Sequence, residues 1–202
     1  MKTLLSFILL TLTFSATSQT TLKDLSKKKV AWMGVDFSQG KFLGKEGFRD
    51  LQKIKDYYFD EWNNATAAKK DWIMENMKLK EMSLFLDPVM TANSGIKITE
   101  YVQDVPHRIK EEDVKAAIAA YDLEACEAEV GVSFMVEYFS KTLESASIYV
   151  AFTEVSTKEV FFLKRLDSKA GGIGFKPHWE NAIKRTIAQI GENFKKWKKG
   201  KE

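Results

Sequence analysis

Cysteine is almost missing from this chain: Cys126 is the single one in 202 residues, so no disulfide can form within it. Beside Ala125 and close to Ala128, it reads as a small packing residue, with an intermolecular disulfide or a reactive thiol as the sharper alternative. Histidine is nearly as scarce. His107 and His178 lie far apart and neither has a second His or Cys at ligand spacing, so the sequence nominates no metal site. An excess of one charge is lacking too. The 31 basic residues face 28 acidic ones, which leaves no basic patch of the nucleic-acid-binding kind. After residue 18, no apolar run approaches the ~20 residues a membrane-crossing helix needs. The G-x-S-x-G elbow, the P-loop and the dinucleotide fingerprint are all absent. Glu111, Glu112 and Asp113 read as the charged start of a helix rather than an acid–base pair. A non-catalytic protein without cofactor or metal is the expectation.

What is present begins with an export signal. Lys2 supplies a positive start, residues 4–14 form an apolar core, and Ala16-Thr17-Ser18 places small side chains at a cleavage site. Residues 1–18 are therefore read as a signal peptide, and residues 19–29, polar and lysine-rich, as a disordered lead-in. No cysteine stands near the cleavage point to carry a lipid. Residues 30–199 remain as a single domain, long enough to bury a core without disulfides. Periplasm is the expected destination, with the extracellular space as the alternative.

Hydrophobic periodicity sketches the architecture. Residues 30–38 suit a buried strand, and Phe48, Leu51, Ile54, Tyr58 and Trp62 mark a helix over 46–62 that Asn63-Asn64 interrupts. A weaker helical pattern follows over 65–77. Residues 79–90 and 96–102 read as strands, the first ended or bulged by Pro88 and the second an edge. A helix over 110–122 precedes three strands, 129–140, 145–155 and 159–166, which form a meander with the first of them central. The last helix starts near Pro177 and buries Trp179, Ile183, Ile187, Ile190, Phe194 and Trp197. This is an α/β (α+β) chain: one mixed sheet, helices packed on it, and a C-terminal β-meander followed by a long amphipathic helix. Tyr57, Tyr58 and Phe59 are consecutive, so one helix cannot bury all three.

Two stretches carry a resemblance. The opening strand KKVAWMGVDF and the hairpin ASIYVAFTEVSTKEVFFLKRL are similar to the periplasmic α/β domain of CsgG-type curli secretion proteins, the TolB N-terminal domain and LpoB-like activators of peptidoglycan synthases. Lys158 stands where that hairpin usually has glycine. LDSKAGGIGFKPHW resembles, more closely, uncharacterised exported Bacteroidetes proteins that end in a hairpin, a glycine loop and a helix. The resemblance implies the fold, not a particular task.

The glycine loop is the candidate site: Lys169, Gly171, Gly172, Gly174, Phe175, Lys176, His178 and Trp179. Three readings fit it. It is a tight strand-to-helix turn needing positive φ, a rigid loop that docks on an envelope protein partner, or an anion site on a helix N-terminus. In the docking reading Phe175, His178 or Trp179 would be the anchors. The tail Lys195-Lys196-Trp197-Lys198-Lys199-Gly200-Lys201 complements the helix dipole, with weak attachment to an anionic membrane surface as its alternative.

Overall fold

The computed structural model describes residues 20–201; the signal peptide expected over residues 1–18 lies outside them. Strand β1 (Val30–Asp36) is followed by β2 (Lys41–Leu43), then by a helical stretch built from α1 (Leu51–Lys53), a π-turn (Ile54–Tyr58) and α2 (Phe59–Ala67). Next come α3 (Lys70–Met77), β3 (Met82–Leu84), α4 (Asp87–Ser94), β4 (Val102–Gln103) and α5 (Glu111–Ala119). The chain closes with β5 (Val130–Ser140), β6 (Ser145–Glu154), β7 (Val160–Lys169) and α6 (Phe175–Trp197).

Among the described residues, seven strands form one mixed sheet around β5. β1 and β2 lie end to end along one edge of β5, both parallel to it, while β6 runs antiparallel along the other edge and β7 outside β6. β3 flanks β1 and the two-residue β4 flanks β2, both parallel. The expected meander and the central place of β5 are therefore present. A strand paired on both edges and covered on both faces is largely apolar; β5 is buried along nearly its whole length, with Glu137 as its one charged residue.

Two cores sandwich the sheet. On one face α2, α3 and α6 close over Trp32, Phe37, Phe134, Phe139 and Phe152, with Trp62, Trp179 and Phe194 contributed by the helices. On the other, α4 and α5 cover Met33, Met135, Tyr149 and Ala151 with Val89, Val114 and Ile118. The six apolar residues read along α6 are all buried there.

Several local expectations are corrected. The lead-in is packed: Leu22 and Leu25 are buried, and the Glu129 carboxylate accepts from Lys28 Nζ (2.8 Å) and Lys29 N–H (3.0 Å). Asn63 does not break its helix. It is fully buried inside α2 because its amide serves β1, so a polar residue that reads as an interruption is a core contact. The strand expected over 79–90 is limited to β3, and Pro88 instead occupies the first turn of α4, where its missing N–H costs nothing. The strand expected over 96–102 is a 3-10 turn (Ile98–Glu100) leading into β4, which is an edge as read. Helix α6 begins two residues before Pro177, so Phe175 and Lys176 lie in its first turn. Of the aromatic triplet, Phe59 is buried and Tyr57 is 48% exposed. Lys158, where the resembling hairpins carry glycine, takes φ +59°, the left-handed conformation glycine adopts freely.

Candidate functional site

The glycine loop joins the C-terminal end of β7 to α6, and side chains of α6 hold its backbone. Arg185 Nη1 donates to the Lys169 carbonyl (2.8 Å) and the Ala170 carbonyl (3.1 Å). Asn181 Nδ2 donates to the Gly171 carbonyl (2.8 Å), and the Gly171 N–H donates to the His178 carbonyl (3.1 Å). Two of its glycines are needed for conformation. Gly172 (φ +121°) and Gly174 (φ +90°) both lie in the left-handed region, and a Cβ at Gly172 would meet Asn181 Nδ2 at 2.9 Å.

The aromatics proposed as anchors turn inward. Trp179 is 1% exposed and stacks on Phe139 (4.8 Å between centroids) and Phe48 (5.2 Å). Phe175 is half-buried against Tyr58 (4.9 Å) and Trp62 (5.9 Å). His178 packs edge-on against Trp179, with Nε2 2.8 Å from the Glu144 carboxylate. Lys176 is ion-paired with Glu61, which raises its pKa above the ordinary lysine value, and its carbonyl accepts from Trp62 Nε1 (3.0 Å). The exposed members of the set are Lys169, Gly172 and Gly174.

The residue that does project was not singled out by the sequence reading. Ile173, between the two left-handed glycines, is 98% exposed. A signal existed: an isoleucine among glycines has no helix face or strand face to bury it.

Ile173 has company at this end of the sheet. The β5–β6 turn reaches the loop through Glu144, whose carbonyl accepts the Ala170 N–H (2.8 Å) and whose carboxylate meets His178. Hydrogen bonding from Lys141, reinforced by the charges of Lys141 and His178, holds the Glu144 carboxyl below the usual carboxylate range. Leu143, next to Glu144, is 64% exposed, and Val105 on the neighbouring 104–108 segment is 63% exposed. Leu143 and Val105 flank a groove of about 360 Å³ that Thr142, Tyr138, His107 and Arg108 also line. Beneath it, the buried Glu137 carboxylate accepts from Arg165 Nε (2.7 Å), Arg108 Nη1 (3.3 Å) and the Ile109 N–H (3.1 Å). That fixes the 104–108 segment against β5.

A second polar cluster lies at the C-terminal end of β1. Asp36 is fully buried and accepts from Tyr121 Oη (2.6 Å) and the Ser38 N–H (2.6 Å). Burial pushes its carboxyl above the usual value, and its hydrogen bonds only partly offset this. Burial beside Asp36 likewise drives the Tyr121 phenol well up. Ser38 and Tyr121 line a crevice of about 460 Å³ between α4 and α5.

The other sequence candidates are placed as follows. Cys126 is half-buried against the smaller core. Trp197 is 8% exposed and packs on Phe162 (5.2 Å), so the tryptophan of the lysine tail belongs to the core rather than to a membrane surface. Among the described residues, no group of three or more His, Cys, Asp or Glu is arranged to hold a metal ion, and no helix is long and apolar enough to cross a membrane.

No protein-family model matches the sequence, and no curated protein matches it. Several solved structures align with the fold, two of them as follows. The LpoB C-terminal domain from Salmonella enterica shares 10% identity over 71% of this chain and 84% of that domain, with a TM-score of 0.35. A hypothetical protein from Chlamydia trachomatis shares 13% identity over 82% of this chain and 94% of its own, with a TM-score of 0.39. At these identities the likeness is one of general architecture.

Proposed function

We propose that this chain is an exported, non-catalytic envelope protein that acts by binding another protein through the end of the sheet where the glycine loop lies. The observation that carries this reading is Ile173: a large apolar side chain, 98% exposed, on a loop whose carbonyls are held by Asn181 and Arg185. A rigid apolar projection loses little conformational freedom on binding, so the burial of Ile173 is retained as affinity. Leu143, on the turn that meets this loop through Glu144, and Val105, across a groove from Leu143, offer further exposed apolar surface. Residues 1–18 support export to the periplasm, and the hairpin and LDSKAGGIGFKPHW resemble those of exported Bacteroidetes proteins with a CsgG-like domain.

The anion-site alternative finds less support in the same geometry. Lys176 is directed to Glu61 and His178 to Glu144, so two of the side chains an anion would use already have carboxylate partners.

Ile173→Asp tests the reading. The full chain, exported with its own leader and tagged at its C-terminus, should fold with an unchanged Tm. It should lose capture of the envelope protein that the wild type brings down. Equal capture by the folded variant would remove the loop as the binding surface.

A further inference from the structure

Strand β7 pairs with β6 on one side and, among the described residues, with no strand on the other. Antiparallel pairing turns the N–H and C=O of alternate residues toward the partner strand. The Ala170 N–H donates to the Glu144 carbonyl, which fixes the phase: Ser168, Leu166 and Lys164 face β6, whereas Leu163, Arg165, Asp167 and Lys169 face away. Helix α6 closes the C-terminal half of this outer edge. Gln189 Nε2 donates to the Asp167 carbonyl (3.0 Å) and Arg185 Nη1 to the Lys169 carbonyl (2.8 Å). Among the described residues, no comparable cap reaches the backbone of Leu163 or Arg165. Edge strands are ordinarily capped, charged or covered against pairing; here half the edge is capped and half is open.

A row of outward N–H and C=O groups fits an extended backbone. The side chains discriminate between occupants. Antiparallel pairing with a second copy that uses both open residues sets Leu163 against Arg165, and therefore Lys164 against its own copy. Like charges directly opposite are destabilising. Arg165 is already held by Glu137 and Asp167, whereas Lys164 has no ion pair among the described residues. We propose that residues 162–166 of β7, on the C-terminal side of the bulge at Phe161, take up an extended segment of another protein as an added strand, one with a carboxylate opposite Lys164 and apolar side chains opposite Phe162 and Leu163. This surface is separate from the Ile173 loop, and its test leaves that loop untouched.

The test pans a displayed library of random decapeptides against the full exported chain. Selected peptides should combine apolar residues with Asp or Glu, and binding should slow amide exchange at Leu163 and Arg165. Leu163→Pro removes one outward N–H while sparing the β6 ladder, because proline is tolerated at such edge positions. It should weaken binding about tenfold or more, whereas Leu163→Ala, which keeps the N–H, should weaken it far less. Should the proline variant not fold, Lys164→Glu carries the test with the same expected loss. Failure to select acidic–apolar peptides, or binding indifferent to these variants, would overturn the proposal. A dimer in sedimentation that Leu163→Pro abolishes would also overturn it, by giving the edge to a second copy.

Discussion

Asn63 in α2 completes the hydrogen bonding of Val35 in β1: its Oδ1 accepts the Val35 N–H (2.7 Å) and its Nδ2 donates to the Val35 carbonyl (3.0 Å). β3 pairs with β1 only as far as Trp32, so Val35 and Phe37 face a gap in the sheet. Asn93 of α4 fills the rest, accepting from the Phe37 N–H (2.7 Å) and donating to the Val35 carbonyl (3.0 Å). One asparagine comes from each helical layer, and together they replace a missing strand. Gly34 permits the approach, since a Cβ there would meet Asn63 Oδ1 at 2.4 Å.

Asn63→Ala should therefore leave the buried Val35 N–H without a partner. The expected loss is about 1–3 kcal/mol of unfolding free energy, the range for a buried unsatisfied backbone group. Denaturant melts measure it. A loss near zero would mean that water or a shifted backbone supplies the bond.

Asp36 makes stability depend on pH with a definite sign. Its folded carboxyl binds a proton more tightly than the ordinary value of 3.8, so its contribution falls as pH rises from 3.8 through the raised value. Asp36→Asn should gain stability relative to wild type above that window and show no gain below it. Tyr121→Phe removes the hydroxyl that donates to the Asp36 carboxyl, and should cost about 1.5–3 kcal/mol above that window, where the bond is to a carboxylate, and less below it. Thermal melts of both variants from pH 3 to 8 check the two trends together.

Glu137 gathers Arg165, Arg108 and the Ile109 N–H on one buried carboxylate. Glu137→Ala strands a half-buried guanidinium and should cost about 3–5 kcal/mol. Hydrogen exchange at Ile109 should quicken with it, because the 104–108 segment loses its tie to β5. Unchanged exchange there would show that the segment is held by other contacts.

Gly174→Val forces a branched residue into φ +90°, yet its Cβ would find only Pro177 Cδ, at 3.9 Å. The strain is thus confined to the loop backbone. A small fall in Tm is expected, with the core aromatics retaining their near-ultraviolet dichroism. Loss of that signal would mean the loop nucleates the packing of α6.

The parts of the fold set by apolar periodicity could be read from the chain. The meander, the central β5 and the face of α6 from Trp179 to Trp197 all follow from side-chain spacing. What could not be read was decided by partners distant in sequence. Asn63 resembles a helix interruption until Val35 is seen to need it. Pro88 marks the end of a strand or the start of a helix equally well, and the burial of Val89 against the smaller core favours the helix. At the candidate site the glycines and their positive φ were legible, but the orientation of Trp179 and Phe175 was not. Both lie on the α6 face that meets Phe48 and Trp62, which leaves Ile173 to project.

The most direct test places a photo-crosslinking residue at position 173 of the full chain, residues 1–18 included, with a control at Glu112 on the exposed side of α5. One dominant protein adduct at 173, absent at 112 and lost on Gly174→Val, is the predicted result. A folded, exported chain that gives no adduct at 173, or equal adducts at both positions, would contradict the account.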